Sequence, residues 1–370
     1  MMRKVTLGEC LCVKHGWAFK GEYFATNGEQ CLLTPGNFYE KGGFKLNSGK
    51  ERYYTGDYPS EYLCHKGDLI VAMTQQAEGL LGSTAIVPED NKYLHNQRVG
   101  LITCFQDKID PMFAYYLFMT KTVREQLERS SSGTKVKHTS PERIYEVVVS
   151  IPDIQVQKKI AHTLNLIDGI IERNNHVNDN LAQMAHMTYM HWFFNKPANG
   201  KIGDILIEQP KSSVQVGDAK EATGDYPFYT SGDAILRWTE PFVDGRNCFL
   251  NTGGNAGVKY YVGKAAYSTD TWCISAKDDL SDYLYLVLDT IQAELNQKLF
   301  QGTGLKHLQK PMLKDRPIYI PEKSETDSFN KHVSPWLSMI SDNVRESQKL
   351  IVLRDWLLPM LMNGQATIVD

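Results

Sequence analysis

The chain has 370 residues, 42% of them hydrophobic, and a net charge of −3. That length carries two domains with their own cores, and that composition excludes a disordered polymer. Near-neutrality argues against a lone nucleic-acid binder working through bulk positive charge, while leaving room for local basic patches.

The seven cysteines, at 10, 12, 31, 64, 104, 248 and 273, are odd in number and contain no Cys-x-x-Cys pair. Reduced thiols in a cytoplasmic protein are expected, with no disulfide frame and no metal site. The N-terminus lacks a signal-peptide core, and no run of about 18 apolar residues exists to cross a membrane.

Residues 1–150 read as a first domain of mixed α and β character. Turn signals at Pro35-Gly36-Asn37, Lys41-Gly42-Gly43, Asn47-Ser48-Gly49 and Thr55-Gly56-Asp57 separate short β-rich runs, among them Asp68–Met73 and Thr84–Val87. Pro111–Glu128 has helical periodicity, Ser140-Pro141 starts a helical turn, and Tyr145–Ile151 reads as a strand.

Residues 151–196 read as one long helix. Ile160, Ile167, Asn174 and Leu181 form one heptad row, and Ile170, Val177 and Met184 form a second. About 40 residues would span roughly 60 Å. A second domain of the same texture follows over residues 197–319, with strand-like Lys259–Val262 and Trp272–Ile274 and a helix over Asp282–Leu299. Residues 320–370 read as a second long helix and tail. Pro335 is expected to break it or restart it at Ser334, and Pro359 to kink it before Asn363-Gly364 stops it.

The two halves are copies. Ile151-Pro152 recurs as Ile320-Pro321, Gly133-Thr134 as Gly302-Thr303, Lys137-His138 as Lys306-His307, Tyr116 as Tyr285 and Asn174 as Asn343, all at one offset of 169 residues. The expected fold is therefore α+β: two similar mixed α/β domains separated by a pair of long antiparallel coiled-coil helices, pseudo-two-fold duplicated. Asn174 facing Asn343 would set the helix register. The competing reading is two unrelated asparagines facing solvent.

No motif of a hydrolase, P-loop enzyme, zinc protease or amino-methyltransferase occurs. The polar loops are more informative. Met73-Thr74-Gln75-Gln76 ends an apolar strand, and each half places Lys and His at the same point of a glycine loop. Lysine and backbone amides suit phosphate; glutamine, asparagine and lysine suit base edges in a major groove. The candidate DNA contacts are Thr74, Gln75, Gln76, Asn96, Arg98, Lys135, Lys137 and His138 in the first domain. In the second they are Ser231, Asn255, Lys259, Thr303, Lys306 and His307.

The chain resembles the specificity subunit of type I restriction-modification systems. The resemblance rests on Gly67–Thr74, Gly79–Pro88, Ile151-Pro152 with its coiled coil, Trp192-Phe193 and Leu357–Gly364. It implies two target-recognition domains, each reading one part of a bipartite double-stranded DNA sequence, and helices that act as a ruler for the spacer. It also implies no catalysis and no cofactor in the chain. Two modification subunits would bind S-adenosylmethionine and methylate adenine, and restriction subunits would translocate and cut DNA. A different class of reading is a coiled-coil scaffold with two protein-binding domains.

Overall fold

A computed structural model of the chain describes residues 2–368 except 48, 76, 78, 134, 135 and 305. The chain divides into two units, Met1–Gly169 with Ile351–Asp370, and Ile170–Leu350.

The first unit is built on a four-stranded antiparallel sheet in the order Leu11–His15, Val99–Cys104, Leu69–Ala72, Thr84–Ile86. All four residues of Leu69–Ala72 are buried, because both faces of this strand are covered. Leu69, Val71 and Met73 enter one apolar cluster with Phe113 and Leu164, and Ile70 and Ala72 enter another with Cys31 and Phe38. A side chain every second residue on each face produces that division.

The helix expected over Pro111–Glu128 is two helices, Pro111–Met119 and Lys121–Ser130. Thr120 between them is extended, with φ −69° and ψ 147°, and its hydroxyl donates to Leu117 O at 2.6 Å. Local bonding of this kind lets threonine leave the helical path.

The second unit repeats the plan. Its main sheet runs Leu206–Glu208, Thr271–Ala276, Arg246–Asn251, Val258–Val262. Arg246–Asn251 therefore occupies the place of Leu69–Ala72, although the two share no sequence pattern. Cys248 and Leu250 again point to one cluster and Phe249 to another. The helix expected to Leu299 ends at Thr290 and continues as a short helix, Gln292–Glu294, and a π-helical turn, Leu295–Leu299.

The first long helix is Ile154–Tyr189, extended by a π-helical turn at Met190–Phe194. It starts later than expected, because Ile151 ends a strand paired with Arg3. Asp153 caps it, accepting from Val156 N at 3.0 Å.

The second long helix, Lys323–Met362, is unbroken for 40 residues, so Pro335 does not interrupt it. Proline in a helix interior costs about 3 kcal/mol. Two features offset this here. Pro335 and Lys331, whose carbonyl loses its partner, are both exposed to water. On the opposite side Val333 and Leu337 are fully packed, and Arg246 donates to Ser334 O at 3.4 Å and Ser338 Oγ at 2.9 Å. The helix then stops as expected: Gly364 has φ 69°, and Gln365 N donates to Met360 O at 2.9 Å.

The helices pair antiparallel, as the second unit records directly. Asn343 donates to Asn178 Oδ1 at 2.8 Å, while Asn174 donates to Glu346 Oε2 at 2.9 Å and Ser347 Oγ at 3.3 Å. The expected Asn174–Asn343 register is thus wrong by about one helical turn. In the first unit, Arg354 donates to Asp168 Oδ1 at 2.8 Å and the Tyr116 hydroxyl to Asp168 Oδ2 at 2.6 Å.

Candidate nucleic-acid interface

In the first unit three chain segments meet at the end of the central strand. Met73 N donates to Arg98 O at 3.1 Å, Thr139 N to Met73 O at 3.0 Å, and Gln75 N to Lys137 O at 2.9 Å. Thr74 Oγ1 and His138 Nδ1 lie 3.1 Å apart. The loop carrying Lys137 and His138 closes on itself through Ser132 and His138, which exchange both backbone bonds, and Arg143 donates to Ser132 Oγ and His138 O. Thr74, Gln75, Arg98, Lys137 and His138, proposed separately from sequence, therefore form one edge. Gln76 and Lys135, with Thr134 of the repeated loop, lie outside the described residues.

The second unit builds the same edge from different residues. Gly254 N donates to Lys306 O at 2.9 Å, Leu308 N to Thr252 O at 3.0 Å and Thr252 N to Asp270 O at 3.1 Å. Gly253 bridges His307 as Thr74 bridges His138, and Gln301 pairs with His307 as Ser132 does with His138. The repeated Lys-His loop thus makes the same contact twice.

The side chains differ in what they are free to do. Thr303, Lys306 and His307 are exposed. Lys137 is ion-paired with Glu128. Lys259 does not face solvent as a free cation: its ammonium donates to Thr230 O at 2.5 Å and Gly232 O at 2.6 Å, and burial lowers its pKa. It holds the loop that carries Ser231, whose hydroxyl donates to Asp270 O at 2.5 Å. The Asn255 backbone carbonyl accepts from Asn251 Nδ2 at 3.1 Å, and Asn255 is exposed.

Asn96 and Arg98 line a cleft of about 390 Å³ that also takes in Lys50, Arg52, Phe19 and Phe24. Gly16 packs directly on the Asn96 carbonyl, where a Cβ would stand 2.1 Å from the oxygen. Among the described residues no carboxylate pairs with Lys50, Arg52 or Arg98. Sequence reasoning missed Lys50 and Arg52, because long-range pairings bring that segment in: Leu32 N donates to Arg52 O, and Tyr53 lies against Cys31 and Ala25.

It also missed Arg124. This guanidinium donates to Phe118 O at 2.6 Å, Gly79 O and Leu81 O at 2.9 Å, and Glu40 O at 3.3 Å. Burial brings its pKa down to about 10. It ties the loop of Glu40 and the loop of Gly79 and Leu81 to the helix Pro111–Met119. All seven cysteines are free thiols. Among the described residues no group of His, Cys, Asp and Glu is placed to hold a metal, and no helix is long and apolar enough to cross a membrane.

Two copies of one polar edge, each on an equivalent four-stranded sheet and each followed by a long helix, define a duplicated fold. The family model described as "Type I restriction modification DNA specificity domain" matches residues 2–183 and again 198–342, and the chain belongs to that family. The type I restriction enzyme MjaIX specificity subunit of Methanocaldococcus jannaschii is 21% identical over 307 residues, which are 72% of this chain and 71% of that one. The MjaVIII specificity subunit of the same organism is 27% identical over 169 residues, 45% of this chain but only 40% of that subunit's length. The crystal structure of a type I restriction-modification system S subunit from M. genitalium has the same fold, with a TM-score of 0.62 at 15% identity, covering 98% of this chain and 96% of that one.

Proposed function

We propose that the chain is the DNA sequence-recognition subunit of a type I restriction-modification complex. Each unit reads one half of a bipartite double-stranded target through the edge described above. The observation that carries this is the repeated edge, in which the Lys-His loop docks on the end of the central strand in both units. Membership of a DNA-specificity family over both units supports it. Lysine and backbone amides contact phosphate, and the remaining polar side chains contact base edges.

The chain performs no chemistry of its own. It works in the cytoplasm, where its partners are two modification subunits, which bind S-adenosylmethionine and methylate adenine, and restriction subunits. A scaffold binding two other proteins is not favoured, since the family match lies on both domains and concerns DNA specificity.

The test is selection from a randomised double-stranded DNA pool by the full chain assembled with its modification subunits. Two blocks of fixed bases at a constant spacing are expected. Selection of no motif, or methylation by the purified chain alone, contradicts the proposal.

A further inference from the structure

Strand register equates positions that the sequence offset does not. In the first unit Ala72 pairs with Val99, so the next step sets Met73 against Arg98. In the second unit Asn251 pairs with Thr271, so the next step sets Thr252 against Asp270. The backbone contact is the same in both: Met73 N donates to Arg98 O, and Thr252 N to Asp270 O. The side chains carry opposite charges, and both residues are exposed.

Among the described residues no ion pair involves Arg98 or Asp270. The Asp270 backbone is held firmly, its carbonyl also accepting from Thr252 Oγ1 at 2.8 Å and Ser231 Oγ at 2.5 Å. A carboxylate carried on so fixed a backbone repels phosphate, so it suits a DNA-facing edge only where a donor meets it. Base edges in the major groove offer such donors: cytosine N4 and adenine N6. Arginine finds its complement in guanine O6 and N7.

We propose that Arg98 and Asp270 are equivalent specificity determinants of opposite sense. Arg98 takes a guanine in one half-site, and Asp270 accepts from the exocyclic amino group of a cytosine or adenine in the other. The two half-sites therefore differ at the position read by this register step. The inference rests on the DNA-recognition reading above.

The experiment is the same selection from a randomised duplex pool, run with the assembled wild-type complex and with Arg98→Ala, Arg98→Lys and Asp270→Ala. Arg98→Ala is expected to cut guanine preference at one position of one block by at least about fivefold, leaving the other block intact. Arg98→Lys keeps the charge but loses the bidentate fork, so it loses the same preference while retaining affinity for random DNA. Asp270→Ala is expected to relax one cytosine or adenine position in the other block. A wild-type motif retained in the Arg98→Ala or Asp270→Ala variant, or affinity lost evenly over all sequences, overturns the assignment while leaving the recognition function standing. A wild-type complex that selects no bipartite motif overturns the function itself, and this assignment with it.

Discussion

Asn343 reaches Asn178, not Asn174: its Nδ2 donates to Asn178 Oδ1 across 2.8 Å. Asn174 is instead held by Glu346 and Ser347. A buried or half-buried amide pair between helices sets register by penalising every other alignment. A double-mutant cycle of Asn343→Ala with Asn178→Ala should give a coupling of about 1 kcal/mol in thermal or urea unfolding. The same cycle with Asn174→Ala should give a coupling near zero. Coupling to Asn174 in place of Asn178 would show the register to be the one expected from the sequence.

Arg124 fastens two loops of the first unit to the helix Pro111–Met119. Arg124→Lys keeps a cation but cannot reach Phe118, Gly79, Leu81 and Glu40 carbonyls together. Stability should fall by about 2 kcal/mol or more. Discrimination should weaken in one half-site only, because the clamped loop continues into Gln75. Unchanged melting and unchanged selection would remove Arg124 from this role.

His95 makes stability depend on pH. It is 1% exposed, its Nε2 lies 2.8 Å from Val99 O, and burial lowers its pKa to about 4. The unfolded chain takes up this proton near pH 6.5 and the folded chain only near 4, so stability falls as pH drops through that window. The full loss is about 3 kcal/mol by pH 4. Urea melts of wild type and His95→Gln between pH 7 and 4 measure it. Parallel pH profiles in the two proteins would assign the acid sensitivity elsewhere.

Lys306 and Lys137 occupy equivalent loops in unequal circumstances. Lys306 is exposed, whereas Lys137 is paired with Glu128. Lys306→Ala should weaken binding to all sequences and reduce the salt slope by roughly one. Lys137→Ala should reduce it less. Equal slopes for both variants and wild type would exclude these lysines as phosphate contacts.

The duplication, the two long helices, the Lys-His loops and the resemblance to a DNA-specificity family were all legible in the residues. Each is a local pattern: heptad spacing, a glycine turn, or one offset shared by several landmarks. What the tertiary structure decided is long-range. An antiparallel helix pair slipped by one turn still presents its apolar stripe, since residues four apart share a face. The stripe could not choose between Asn174 and Asn178; packing did. Pro335 stays helical because water satisfies its exposed side and the second sheet grips Ser334 and Ser338. Lys259 looks like a free cation in sequence and is bound to loop carbonyls in space. The equivalence of Arg98 with Asp270 is the clearest case. It exists only as a hydrogen-bond register between strands distant in sequence, where loops of unequal length have erased the common offset.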